Sequence, residues 1–444
     1  MPRIAIAMFA EEGHLFPSFK LARLLCSRGH EVVYVGLADF APLVQAQGFA
    51  FVPILTDEFP IGTRPAQVER LKMARGIAYL REYGQIRFFN AVGRLGCDDD
   101  GEIAALLEQH QPDLFIIDAF MSPLALRVHA AGVPVVMLSI NINMPPAENY
   151  PSTMSAFVPQ ATARSRRTIA ASWRSGSLLV NTASRLLGFN YVGDLKRAVA
   201  KWQLDPAIII QNTLLPKLKA CETMPELILC PREFDFPRPV GGDPGVHYVE
   251  PLVDTERVSG EFPWQALDPS KKLVFCTLGS QSHMYPKALP FFQAVIDAMR
   301  AAPDCQLVLA IGRSLDPAGF TEVPTNAVIV QWVPHTEMLR RAALMIQHGG
   351  LGTVKECIFF DVPMLVYPVS RDQPGYAARV AYHGLGILGD IKRFDSNSIG
   401  AHIRTLLADP RYKTNVTAMG THFRAAEQEL RGLAIIEALL PVQG

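Results

Sequence analysis

The chain has 444 residues, enough for two or three domains and a large core. Its 42 basic and 42 acidic side chains cancel, which argues against a nucleic-acid binder, because such proteins usually carry a basic excess. A hydrophobic share of 49% suits a soluble globular enzyme, and no apolar run approaches the ~18 residues that a spanning helix needs.

The opening, MPRIAIAMFA, has one arginine and a brief apolar run followed by two glutamates. That is a poor match to a signal peptide and a good match to a first buried strand, Ile4 to Phe9. His14 to Arg28 has helical periodicity and stops at Gly29. Glu31 to Val35 is expected as a strand, Phe40 to Gln47 as a short helix and Phe49 to Pro53 as a third strand. Further on, Ile103 to Gln109 reads as a helix. Leu114 to Ile117 and Val133 to Leu138 read as buried strands with a helix between them. Apolar strands alternating with helices predict a parallel sheet covered on both faces, with ligands at the carboxyl ends of the strands.

Two stretches, Thr56 to Asp100 and Asn141 to about Pro216, break this rhythm and read as insertions of the kind that carry specificity. The second holds Arg164, Arg166, Arg167 and Arg174 among apolar residues. A solvated helix face is the simpler reading of these, and contact with an anionic membrane surface the sharper one. Pro231 to Pro244 (PREFDFPRPVGGDP) marks a linker or domain edge. The α/β rhythm then restarts, with strands at Leu273 to Thr277, Gln306 to Ile311 and Ala327 to Val330, and a helix at Pro290 to Ala301. His422 to Leu440 is a long helical pattern. Residues 1–240 and 241–425 are therefore expected as two α/β domains. The seven cysteines are scattered, form no C-x-x-C pair, and read as reduced thiols in a cytoplasmic protein.

The densest chemistry lies between Trp332 and Gln373. An apolar run, Ala342 to Ile346, leads into His348-Gly349-Gly350-Leu351-Gly352-Thr353 and then a helical pattern carrying Glu356. A second run, Pro363 to Tyr367, ends near Asp372-Gln373. Glycines at such a strand-to-helix turn let a ligand approach the backbone, and the helix start suits a phosphate. Gly279-Ser280 makes another tight turn after a strand. In the first half, His14 follows the first strand, where an imidazole can take a proton from a hydroxyl. Asp118 ends a strand in PDLFIIDAF. A parallel sheet can bring it beside His14 to orient the ring, or it caps the next helix. Asp98-Asp99-Asp100 contains a D-x-D pattern but sits between helices, so it reads as a solvated acidic loop, and no metal site is expected.

These residues carry a resemblance. W-x-P-x at Trp332 to His335, H-G-G-x-G-T at His348 to Thr353, Glu356, Val362-Pro363 and Asp372-Gln373 resemble the nucleotide-sugar box of family 1 glycosyltransferases, the UDP-glycosyltransferases of GT-B fold. G-H-x-x-P at Gly13 to Pro17 resembles that family's catalytic-base motif, and Asp118 stands in a similar D-A-F context. His335 replaces the Gln usual in plant members, and Leu351-Gly352 replaces their Trp-Asn. The run DQPGYAARVAYHGLG resembles bacterial members that glucosylate zeaxanthin, and macrolide-type bacterial members are the neighbouring comparison.

The resemblance implies a GT-B fold, two Rossmann-like domains facing across a cleft, with residues 426–444 crossing back to the first domain. It implies an inverting transfer of a hexose, glucose above all, from a UDP-sugar to a small hydrophobic acceptor alcohol. His14 would be the general base and Asp118 its orienting partner. Gly279, Ser280, His348, Gly350, Gly352 and Thr353 would meet the diphosphate. Trp332 and Val333 would meet uracil, Glu356 the ribose, and Asp372 and Gln373 the sugar, and His335 would lie among the donor-binding residues. No metal or other cofactor is implied. The expected state is a monomer or weak dimer, cytoplasmic, with peripheral contact at the inner face of a membrane as an option. The alternatives are a GT-B-fold UDP-sugar epimerase, which would lack the G-H-x-x-P base and the D-Q pair, and a non-catalytic nucleotide-sugar-binding protein.

Overall fold

The computed structural model describes residues 1–98, 101–142, 145–211, 217–238, 244–256, 260–279 and 282–441. In chain order the first half runs β1 Arg3–Ala7, α1 Glu12–Ser27, β2 Glu31–Gly36, α2 Ala41–Gln45, β3 Ala50–Pro53, α3 Thr63–Met73, α4 Gly76–Tyr83, α5 Ile86–Asp98 and α6 Glu102–His110. It continues with β4 Leu114–Asp118, α7 Ser122–Ala130, β5 Val135–Ser139, α8 Ala163–Leu187, α9 Tyr191–Lys201, the hairpin β6 Ile209–Ile210 and β7 Lys217–Leu218, β8 Glu226–Ile228 and β9 Val246–Tyr248. The second half has β10 Lys272–Thr277, α10 Ala288–Ala298, β11 Cys305–Ala310, β12 Ala327–Val330, α11 His335–Arg341, β13 Ala342–Gln347, α12 Leu351–Phe359, β14 Met364–Val366, α13 Gln373–Tyr382 and β15 Gly386–Leu388. Three helices close the chain, α14 Ser396–Ala408, α15 Pro410–Glu429 and α16 Arg431–Ala438.

These elements build two parallel sheets, in the orders β3-β2-β1-β4-β5-β8-β9 and β12-β11-β10-β13-β14-β15. Side chains alternate across each strand. In β10, Val274 and Cys276 join one apolar cluster with α10 and α14, while Leu273 and Phe275 join another with α12 and α13. The second sheet is thus covered on both faces, as near-continuous apolar strands require.

The expected boundary at 240 is corrected by strand order. Glu226–Ile228 and Val246–Tyr248 pair in parallel within the first sheet, so the chain passes to the second unit after Tyr248. The Pro-rich stretch connects two strands of one sheet. Its Phe234 and Phe236 are buried in the second unit's core, and residues 239–243 lie outside the described set. The second insertion also leans across. Ile142, Tyr150, Ile169 and Trp173 pack into the second unit's cluster with Tyr376 and Val366.

The tail is two helices and not the single one its periodicity predicts. Leu430 takes φ +49, ending α15, and α16 turns back. Leu433 and Ile436 of α16 are buried in the first unit's core. The buried Glu250 carboxylate accepts hydrogen bonds from the Gly432 and Leu433 N–H groups at 2.7 and 3.1 Å, which satisfies two orphan donors of the α16 first turn. Lys20 meets Glu427 at 2.6 Å, so the tail holds both units together.

Candidate active site

The parallel pairing of β1 with β4 sets Ala7 opposite Ile117, so the segments leaving both strands emerge side by side. From β1 the chain turns through Phe9 and Glu11 into α1, which starts at Glu12, two residues earlier than its periodicity predicts, and places His14 in the first turn. From β4 it ends on Asp118. His14 Nδ1 and Asp118 Oδ2 lie 2.6 Å apart, and both side chains are buried. The second Asp118 oxygen accepts from the Phe120 N–H at 2.9 Å, and Oδ2 also accepts from the Phe9 N–H at 3.3 Å. Asp118 therefore both partners the imidazole and caps the turn that follows it.

Phe9 and Phe120 flank the His14 ring, with centroids 5.0 and 5.4 Å away. Burial among them pulls the His14 pKa down. The Asp118 charge and hydrogen bond, with Glu11 and Asp372 further off, outweigh that, and the net shift is upward from 6.5. With Nδ1 held by Asp118, Nε2 is the nitrogen left for a substrate.

On the facing unit, β10 ends in the Gly279 turn and β13 in His348. Gly279 takes φ +83, and a Cβ there would lie 2.9 Å from the His348 ring, so only glycine allows these two strand ends to meet. Ser280 lies outside the described residues. Gly350 is the N-cap of α12, whose first turn contains Gly352 and Thr353. Burial, helped by the His335 charge, pushes the His348 imidazole down to about 4, which favours the neutral ring, able to offer an N–H, over the cation. Its Nδ1 is buried without a protein partner among the described residues.

His335 starts α11, and its Nδ1 lies 3.0 Å from Glu356 Oε2, an ion-pair distance without hydrogen-bond geometry. Trp332 is 36% exposed, and the Arg313 guanidinium sits 4.5 Å over its ring, so one of its faces is already covered. Val333 is buried. The His348 turn, α12, His335, Glu356 and Trp332 thus line one strand edge of the second sheet.

The Asp372-Gln373 pair separates into two kinds of residue. The buried Gln373 amide oxygen accepts from the Val369 and Ser370 N–H groups at 2.9 and 3.0 Å, and its nitrogen donates to the Tyr285 hydroxyl at 3.3 Å. Its side chain builds the turn, and one amide N–H remains beyond these bonds. Asp372 is only partly buried, and loss of solvent raises its pKa.

Sequence reasoning overlooked the connection between the two edges. Arg371, held at φ +57, reaches across with both Glu11 carboxylate oxygens 3.0 Å from Nη1, and its Nη2 donates to the Tyr83 carbonyl at 3.2 Å. Tyr83 and Ser370 share a hydroxyl hydrogen bond of 2.6 Å. Desolvation would raise the Glu11 pKa, but the Arg371 charge outweighs it and the net shift is downward. The two strand edges that carry the candidate residues therefore face one another across a cleft. No local motif announces Arg371. Its only signal is its place before Asp372. Among the described residues no group of three His, Cys, Asp or Glu side chains is arranged to hold a metal ion. Asp99 and Asp100 are outside that set.

Residues 294–428 match the family described as "Erythromycin biosynthesis protein CIII-like, C-terminal domain". The chain is 25% identical to the zeaxanthin glucosyltransferase of Pantoea ananas over 424 residues, 95% of this chain and 92% of that one. These likenesses together indicate a family 1 glycosyltransferase. The crystal structure of the kitacinnamycin glycotransferase superimposes with a TM-score of 0.72 at 24% identity, covering 99% of this chain and 100% of that one. Glycosyltransferase VinC, solved in complex with dTDP, gives 0.63 at 20% identity over 98% and 100%. The fold is GT-B, and this glycosyltransferase carries its donor-half motifs within or just ahead of the segment that matches the family.

Proposed function

We propose that this glycosyltransferase moves a hexose, preferentially glucose, from UDP to a hydroxyl of a small hydrophobic acceptor with inversion at the anomeric carbon. The observation that carries the reading is the buried His14–Asp118 pair, 2.6 Å apart, on the edge facing the donor half's glycine turn. In this reading the acceptor O–H gives its proton to His14 Nε2 as its oxygen bonds to the anomeric carbon. The bond from that carbon to the diphosphate breaks on the opposite face. Asp118 keeps the imidazole oriented and offsets the charge it gains. The leaving diphosphate is met by the N-terminal N–H groups of α12 and by neutral His348.

Glu356, positioned beside His335, accepts from ribose hydroxyls, and the open face of Trp332 takes the base. Asp372 accepts from sugar hydroxyls. This assignment favours a ribonucleotide over the dTDP bound by VinC, and a thermal-shift comparison of UDP with dTDP distinguishes them. The reaction is proposed to run without a metal, and activity unchanged in EDTA is the expected result. A monomer or weak dimer in the cytoplasm fits the reading. Among the described residues no helix is long and apolar enough to cross a membrane.

His14→Ala tests the base. Transfer should fall by roughly 10²–10⁴-fold while UDP binding persists. Near-normal turnover would sink the assignment. An epimerase or a non-catalytic binder is separated by incubation with UDP-glucose alone. Slow hydrolysis that His14→Ala abolishes supports a transferase, and either a C2-epimerised sugar or an inert complex contradicts it.

A further inference from the structure

The outer face of α8 presents charge and apolar surface that sugar transfer does not use. Its 25 residues include no acid. At 3.6 residues per turn, Arg164, Arg167, Arg174, Leu178, Leu179 and Leu186 fall within about 140° around the helix axis. All six are exposed, while Ser165, Ile169 and Trp173 on the other side are buried. The three leucines expose 69, 61 and 66% of their surface. Arg166, off this face, pairs with Glu148 at 3.0 Å, whereas Arg164, Arg167 and Arg174 have no carboxylate partner among the described residues.

The apolar end of this face continues onto α4. Arg81 donates to the Leu187 carbonyl at 3.1 Å, and α4 exposes Ile77 and Leu80 beside it. A cavity of about 360 Å³ opens at this junction, lined by Arg81, Leu187 and Gly188 and, further in, by Phe88. The Phe88 ring is 5.2 Å from Phe9, which is itself 5.0 Å from His14. The patch therefore borders a cavity that ends one aromatic layer from the base.

Contiguous exposed leucines mark an interaction site more often than ordinary surface. A row of unpaired arginines ahead of them on the same helix face complements phosphate headgroups above an acyl region. We propose that this face docks on an anionic phospholipid bilayer, with Leu178, Leu179 and Leu186 at the headgroup–acyl boundary and the arginines on the phosphates. The cavity mouth is then held at the lipid surface, where an apolar acceptor enters it. This loading step rests on the acceptor reading above. The docking does not.

Vesicle sedimentation with the full chain tests it, comparing phosphatidylcholine alone with phosphatidylcholine doped with phosphatidylglycerol. Binding is expected only with the anionic vesicles, weakening by about tenfold or more as salt screens the arginines. The triple variants Arg164→Glu/Arg167→Glu/Arg174→Glu and Leu178→Ser/Leu179→Ser/Leu186→Ser should each lose it while keeping the wild-type melting temperature and UDP binding. No binding to anionic vesicles, or binding indifferent to both variants, overturns the proposal. Leucine-dependent dimers in sedimentation velocity without vesicle binding assign the face to a second copy and also overturn it. Vesicle binding without faster turnover of a membrane-dissolved acceptor leaves docking standing and removes the loading step, a result distinct from failure to find any hydrophobic acceptor.

Discussion

At the residue scale, the electrostatics of His14 make a definite statement about pH. Its pKa is raised because Asp118 outweighs burial. A base must be neutral to accept a proton, so kcat/KM should rise with pH through a limb above the ordinary 6.5. Asp118→Asn removes the charge and should move that limb to lower pH while cutting the rate. A pH–rate profile of both proteins checks this, and an unmoved limb would detach Asp118 from the titration. The same shift affects folding with a fixed sign. A raised native pKa stabilises fully below the unfolded value and is lost as pH rises through the folded one. The pair thus adds stability on the acid side and works as a base on the alkaline side.

At the element scale, α13 shows what was legible in the chain and what was not. Its start at Gln373, with Pro374 in the first turn, is written in the local sequence. So are the strands, whose apolar runs matched β1, β2, β4, β10 and β13 within a residue or two. The His14 and Asp118 strand ends were readable too, because parallel pairing is a local consequence of the α/β rhythm. What α13 touches was not readable. The Gly375 N–H donates to the Thr153 carbonyl at 2.8 Å, the Tyr376 hydroxyl accepts from the Ile142 N–H at 3.1 Å, and buried Arg379 pairs with Asp235 at 2.7 Å. Every one of these partners lies more than a hundred residues upstream, in stretches with no regular period. The turn-building role of Gln373 was hidden as well, since its bonds to Val369 and Ser370 depend on the turn it closes.

This packing gives a prediction for the element. A Cβ on Gly375 would stand 2.6 Å from the Thr153 Cα and carbonyl oxygen, backbone atoms that cannot rotate away. Gly375→Ala should cost about 1–3 kcal/mol, seen as a lower urea midpoint, and should weaken donor binding by displacing α13. Gly352→Ala meets nothing within 4 Å and should leave the midpoint within about 0.5 kcal/mol. Equal midpoints for the two variants would mean that the insertion does not seat on α13.

At the scale of the whole molecule, the two sheets are tied at both ends of the cleft. At the mouth is the Glu11–Arg371 pair, and at the back Lys355 donates to the Leu229 and Pro251 carbonyls at 2.9 and 2.7 Å. The back tie is a buried lysine side chain held on backbone carbonyls and fits a hinge. The front tie joins buried Glu11 to a partly exposed Arg371 and adjoins both His14 and Asp372, which fits a latch. Arg371→Ala should remove about 1.5 kcal/mol from closure, since a charged hydrogen bond is of that order. KM for the donor should then rise about tenfold with little change in the folded-state midpoint. A fall in kcat alone would place Arg371 in the chemistry instead.

One further consequence follows from the β1–β4 register. Because Ala7 stands opposite Ile117, the base and its carboxylate meet through the sheet's own hydrogen-bond ladder, and neither residue lies in the insertions at 56–100 and 141–216. The insertions meet the dyad through the aromatic layer, where Phe88 and Phe89 pack on Phe9, so their outer parts can lengthen, shorten or change composition while the strand ends stay in register. The scaffold separates what must be inherited unchanged from what is free to diverge. Descendants of such a chain can change clientele, one acceptor lineage for another, while the proton-transfer geometry stays the same.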